Sequence, residues 1–537
     1  MMPGVIALAA LSGPLPKLGV VVAAGLVALT LLAGNDRLKA GAMLGALALA
    51  PVLLLADIWH SPQLRTVHRH PLYGVVAALL ALAVVAAITV AISRRPRLLA
   101  PLIVLAVPFR IPIQAGGTTS NLLVPLYVVV AAGALAFIVP ALREDERAPP
   151  APLPRPSRRD RDRDGQPDAR PVRKRPRLGP WIERLLALYV VLYGIQAVYS
   201  PDFEKALQQM VFFYVPFALM FALLRGIEWD RRLIRRCMEL VAALAVLFAI
   251  VGFVEYATKT IILNPRLVVA NDLHTYFTVN SVFFDPDIFG RFLALVMILL
   301  AAVLLYNRNQ REQLVTIGVL AVLWAGLVLT LSRSSLGALL VGLATLAAIR
   351  WRVSRAVITA VVVVAIGAIA VAVSPKTFGL NQGLNGASSG RAGLVSGGIE
   401  MFKSRPLWGY GSAAFVTEYR RRHPHSSTTL AASHTIAITI AAEQGLIGEL
   451  AYIALVLVSL IVLLRGTRGD PPRAAIAAAF LALVFHTLLY ADFLEDPVTW
   501  LLLGVGAALA AAARGAARQS PETAVASRAS VTSASTA

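Results

Sequence analysis

The chain has 537 residues, 58% of them hydrophobic and 15% charged, with a mean hydropathy of +0.72. This composition lies outside soluble globular usage and excludes a soluble enzyme carrying a few anchors. The formal charge of +21 does not indicate a nucleic-acid partner, because the basic residues sit between apolar stretches, where the positive-inside rule puts them. The single cysteine, Cys237, excludes an intrachain disulfide.

Residues 1–16 carry no positive n-region and no clear cleavage site, so no removable signal peptide is read there. Apolar stretches of membrane-crossing length predict spans at 17–34, 38–56, 71–93, 98–113, 121–141, 181–199, 206–225, 236–256, 282–306, 313–331, 334–350, 355–373, 445–465, 473–490 and 498–514. The expected fold class is all-α, a polytopic transmembrane helical bundle of about 14–15 spans with one large extracytoplasmic loop. Its domains are a bundle over 1–141, a linker over 142–180, a second transmembrane unit over 181–514 that includes the loop 374–444, and a tail over 515–537.

Lysine and arginine in alternate connectors set the orientation. Residues 35–39, 93–97, 142–180, 225–236, 307–311, 350–355, 465–473 and the tail from Arg514 are basic, and one alternating topology places them together on the cytoplasmic side. The connector from Asp57, the stretches 257–281 and 491–497, Leu331–Ser334 and the loop 374–444 then lie outside. The linker is rich in proline and mixed charge and is expected to be disordered, as is the tail after Gln519. Asp160, Asp162 and Asp164 imitate the start of a calcium loop, but Pro171 stands where the twelfth-position glutamate belongs, so no calcium site is assigned.

On the outer side three arginines stand out. Arg333 sits between two spans in LTLSRSSLGALL, and Arg391 opens GRAGLVSGGIEMFKSRPLWGYGSAAF. Both are disfavoured there by the positive-inside rule, which points to function. Arg291, inside the outer part of a span, has two readings: a structural pair with Asp285 or Asp287 (or snorkelling to headgroups), or a functional cation facing a polar cavity. Guanidinium groups make bidentate, charge-assisted bonds to phosphate without losing charge. Several could hold a lipid-linked diphosphate and stabilise the negative charge that develops as it leaves.

The apolar stretch from His434 to Arg465 would be about 48 Å long as one helix, more than the roughly 30 Å hydrocarbon core. A short interfacial helix, a bend near Gly445 and Gly448, and then a span are expected. Ser433 is the expected N-cap, with His434 at the helix start facing water. A histidine there can take a proton from a sugar hydroxyl near neutral pH; the alternative is a surface histidine without a role. Glu443 is half a turn out of phase with His434, so no direct couple along one helix is expected. His423 and His425 are read as solvated, His68 and His70 as too sparse for a metal site, and His486, near the outer end of a span, as a hydrogen-bonded packing residue. No Walker, GxGxxG or CxxC motif stands out, which argues against nucleotide-driven or redox chemistry.

The order FFDPDIFGRFL, LTLSRSSLGALL, GRAGLVSGGIEMFKSRPLWGYGSAAF and SHTIAITIAAEQGLIGEL resembles the O-antigen ligase and polymerase family of bacterial membrane glycosyltransferases. The resemblance runs from about Trp181 to Leu503; the region before Pro180 has no counterpart in it. It implies transfer of a glycan from an undecaprenyl diphosphate donor to an acceptor hydroxyl of a glycan, lipid or protein, at the outer face of the plasma membrane, without metal or nucleotide; no cofactor and no nucleic-acid partner are expected. Arg333, Arg391 and His434 match the family's diphosphate-binding and hydroxyl-activating positions. Asp285, Arg291, Glu443 and Tyr410, in the Gly409–Gly411 turn, complete the candidate substrate-binding set. Two departures are Thr435 where the family has asparagine, and Asp287 where it has asparagine in Asp-Pro-Asn. A transporter or flippase is the alternative from another class; few charges sit mid-span, and the polar residues collect at one face.

Overall fold

The computed structural model describes residues 13–59, 69–115, 118–143, 180–261, 277–351, 391–424 and 433–534. The expected span 355–373, the first part of the 374–444 loop, the linker with its aspartates, His68 and His425 lie outside the described residues.

The elements in chain order are α1 (Pro14–Leu32), α2 (Asp36–Ile58), α3 (Pro71–Arg94), α4 (Leu99–Ala106), β1 (Ile111–Ala115), β2 (Thr118–Leu122), α5 (Val124–Arg143), α6 (Trp181–Ala197), α7 (Phe203–Gln209), α8 (Val215–Gly226), α9 (Arg231–Thr258), α10 (Pro286–Tyr306), α11 (Gln310–Leu329), α12 (Arg333–Arg350), α13 (Arg391–Ser404), α14 (Phe415–Arg422), α15 (Ile436–Leu464), α16 (Pro471–Thr487) and α17 (Pro497–Ala534). A π-helical turn, Met210–Tyr214, joins α7 to α8. Among the described residues eleven helices are long and apolar enough to cross a membrane, and the fold is an all-α polytopic bundle. The β structure is a two-stranded antiparallel hairpin, Ile111 paired with Leu122 and Ala115 with Thr118.

Short polar side chains fix where the helices begin. Asp285, Asp230, Asp470 and Ser332 each accept a backbone N–H of the first turn of the helix they precede, and Pro286 and Pro471 occupy first-turn positions whose N–H would be unsatisfied anyway. The helix running from α7 through α8 and the helix α10 are the most enclosed spans, whereas α3 is almost wholly turned outward. Leu72, Val75, Leu79 and Leu82 on α3 are exposed, as suits a helix whose apolar face meets lipid. Close approach relies on small residues: a Cβ on Gly290 of α10 would lie 2.8 Å from Ser335 Oγ on α12.

Three local expectations are corrected. The span expected over 98–113 is a helix only as far as Ala106, and the hairpin follows; Pro108 and Pro112 lack the N–H that would extend it. The last span before the C-terminal helix ends at Thr487 rather than 490, which leaves Tyr490 in a loop. The helix α17 continues to Ala534, where a disordered tail is expected from composition; the alanine-rich run after Gly506 favours it.

Candidate functional site

The long helix α15 is broken at Gly445, whose φ of 66° and ψ of −165° are not helical. This is the bend that its length demands. A break frees carbonyls that would otherwise accept within the helix, and each finds a donor. Ala442 O accepts from Tyr410 N (3.2 Å) and Glu443 O from Gly411 N (2.8 Å). Gln444 O accepts from Gln196 Nε2 at 3.1 Å, and Leu446 N donates to Pro406 O at 2.7 Å. The 406–411 turn therefore lies backbone to backbone on the kink. A Cβ at Gly409 would stand 2.3 Å from Glu443 O, so only glycine fits.

The Glu443 carboxylate closes the same joint: Ala413 N and Phe415 N donate to its two oxygens, each at 3.0 Å. Tyr410 is inside the loop's own small core with Leu394, Met401, Phe415 and Tyr419. Its hydroxyl bonds Ser404 Oγ at 2.8 Å and the Arg422 guanidinium, and Arg405 lies 4.6 Å from its ring centre. Both residues hold the loop on the bundle.

His434 precedes the helix start at a left-handed φ of 59°. Thr435, rather than the expected Ser433, is the N-cap residue, and its side chain makes no capping bond. Ser433 is buried and acts one residue earlier: Thr435 N donates to Ser433 Oγ (3.2 Å), and that oxygen lies 2.7 Å from Thr439 Oγ1. This turn, and not a helical first turn, sets the direction of the histidine. The His434 ring meets Tyr490 edge-on, with centroids 6.1 Å apart.

Tyr490 links the parts. Its hydroxyl donates to Asp285 Oδ2 at 3.1 Å, its ring lies 5.7 Å from His486, and the Arg291 guanidinium is 6.0 Å from its centre. Burial and the Asp285 and Asp492 charges push the tyrosine well above its ordinary value, so it stays a donor. Asp285 is pushed up to about 6, chiefly by burial and then by the neighbouring Asp287, against the pull of the Asp287 N–H and Tyr490 bonds.

Arg333 opens α12 and is exposed. The serines on either side of it, Ser332 and Ser334, donate to Asp287 Oδ1 at 2.5 and 3.0 Å, and Ser334 Oγ is 3.2 Å from His486 Nε2. Since Ser334 gives its proton to the carboxylate, the histidine is the donor to Ser334. Asp287 thus clamps the start of α12 and with it the backbone of Arg333. Arg291, buried like its partner, pairs with Asp496 at 3.0 Å, in place of the expected Asp285 or Asp287. Arg391 opens α13, which packs against α15.

The structure gathers Asp285, Arg291 and His434 around Tyr490 at one end of the bundle, sets Arg333 between the two serines that Asp287 clamps, and puts Glu443 and Tyr410 in the joint that carries the loop. Tyr490 and Asp496 stand outside the set expected from the sequence, whereas His486 is the buried, hydrogen-bonded packing residue expected. An Asp-Pro pair at Asp496–Pro497 was the available signal of a helix start there. Nothing in the sequence marks Tyr490, which reaches the site only because α16 ends three residues earlier.

The family model described as O-antigen ligase matches residues 317–453. That stretch holds Arg333, Arg391, Tyr410, His434, Glu443 and the Gly445 break; Asp285, Arg291, Tyr490 and Asp496 contribute to the site from outside it. No curated protein matches the chain closely enough to count as a relative. Residues 317–453 are thus similar to the O-antigen ligase family, within a membrane protein of many spans.

Proposed function

We propose that the protein transfers a glycan from an undecaprenyl-diphosphate donor to an acceptor hydroxyl at the outer face of the plasma membrane, in the assembly of a cell-surface polysaccharide. The observation that carries this reading is the meeting of His434 with the Asp285–Tyr490 pair at the end of the bundle where Arg333 begins its helix. Arg333 and Arg391 hold the diphosphate by charge-assisted bonds and stabilise the charge on the leaving group. His434 takes the proton of the acceptor hydroxyl as the oxygen attacks the anomeric carbon; the bond to the diphosphate breaks, and lipid diphosphate departs with the electron pair. Asp285 and Tyr490 act as positioning residues beside the histidine. Arg291 supports the floor of the site through Asp496, and Glu443 and Tyr410 act on substrate only by fixing the loop.

Reconstitution of the purified protein with labelled lipid-linked glycan and a candidate acceptor tests this. A new glycosidic bond with release of lipid diphosphate is expected. Movement of the labelled lipid between leaflets without any new bond would establish the transporter reading instead.

A further inference from the structure

At the end of the bundle opposite the candidate site, a cavity of about 1280 Å³ opens between α2, α3, α5, α8 and α9. That it is the opposite end follows from chain direction: α9 begins there at Arg231 and runs away from it, and the next described span, α10, starts back from the site at Pro286. Lys39, Arg95, Arg97 and Arg236 line the cavity, against Glu228 and Asp230. Arg97 pairs with Asp230 at 3.2 Å. Lys39, Arg95 and Arg236 form no ion pair among the described residues, and Lys39 is partly buried, its ammonium 5.7 Å from the Phe137 ring centre. Three cations from three separate elements thus converge on one opening. The opening is not polar throughout: Met43, Ile92, Leu99, Phe137 and Leu223 form its inner wall.

We propose that this cavity binds an anionic phospholipid, with the phosphate on Lys39, Arg95 and Arg236 and the upper part of the acyl chains on the apolar wall. A basic rim alone is what the positive-inside rule would leave at any such end. A basic rim over an apolar wall, set between spans, matches both halves of a phospholipid. A free phosphate would use only the rim. The volume exceeds the roughly 300–1,000 Å³ typical of small-molecule sites, which suits a headgroup with part of its chains. The site joins the N-terminal helices α2, α3 and α5 to α8 and α9. It lies wholly before the family-matched segment and is independent of the glycan-transfer reading.

The test uses the full chain purified in an uncharged detergent. Dioctanoyl-phosphatidylglycerol is titrated while the unfolding temperature and affinity are followed, with dioctanoyl-phosphatidylcholine and sodium phosphate as parallel arms. The anionic lipid is expected to bind saturably and raise the unfolding temperature, and the other two to leave it unchanged. The double variant Arg95→Ala/Arg236→Ala should bind the anionic lipid about thirtyfold more weakly, with an unliganded unfolding temperature like that of the parent. Equal stabilisation by phosphatidylcholine, equal stabilisation by phosphate, or unchanged affinity in a folded double variant would overturn the proposal. Should the variant fail to fold, the three arms on the parent protein decide alone. Because the readout is lipid affinity, failure here leaves glycan transfer untouched, and the converse holds too.

Discussion

At the scale of single residues the site is built from groups that buffer one another. Asp285 titrates at about 6 when folded, against roughly 3.9 in an unfolded chain. Its charged form is therefore disfavoured by folding: the penalty is absent below pH 4, grows through the window from 4 to 6, and is complete above it. Asp285→Asn removes the charge, keeps one oxygen to accept the Asp287 N–H, and turns the Tyr490 contact into one in which the amide donates and the hydroxyl accepts, so it should raise stability above pH 6 by up to on the order of 3 kcal/mol. The gain should fade toward pH 4. Thermal unfolding at pH 4.5, 6 and 8 checks the slope, and a gain independent of pH would contradict it. For the buried Arg291–Asp496 pair, Asp496→Ala leaves a guanidinium uncompensated and is expected to cost about 3–5 kcal/mol. Arg291→Met/Asp496→Leu should recover most of that loss. A double variant no more stable than the single one would show that the pair is not the cause.

At the scale of elements, the break in α15 is what turns a transmembrane helix into a platform. Its existence was legible in the sequence, because a stretch of that length cannot remain one helix in a bilayer. Its partner was not. That the 406–411 turn would seat on the freed carbonyls depends on contacts between segments far apart in the chain, which periodicity does not encode. The same holds for Glu443: its distance along the helix from His434 ruled out a direct couple, but only the fold shows two loop N–H groups on its carboxylate. Gly409→Ala places a Cβ against the Glu443 carbonyl in a left-handed backbone that alone costs about 1–2 kcal/mol. It should detach the loop, exposing the Arg405–Arg422 region to limited proteolysis while the membrane helices stay folded. Protease resistance equal to the parent's would refute the seating.

At the scale of the whole molecule, composition and hydropathy made the class plain, since helices that must satisfy their backbone within a bilayer leave few alternatives. The polar ends were less legible. Proline ends the expected span 98–113 early, at Ala106, and the three-residue difference at the end of α16 decides whether Tyr490 belongs to a helix or to the site. Orientation rests on charge counting and has a direct test. In a Cys237→Ser background, single cysteines replacing the exposed Lys403 and Arg311 are treated with a membrane-impermeant maleimide on intact cells. Lys403→Cys should label and Arg311→Cys should not; the reverse pattern would put the candidate site inside.

The central claim is that His434 activates the acceptor. It is tested most directly by comparing His434→Ala with the parent in reconstituted transfer from labelled lipid-diphosphate glycan, under single-turnover conditions. The expected result is a rate lower by about 10²–10⁴, with membrane insertion and unfolding temperature unchanged and donor binding retained. Transfer at the parent's rate by the folded variant would contradict the account.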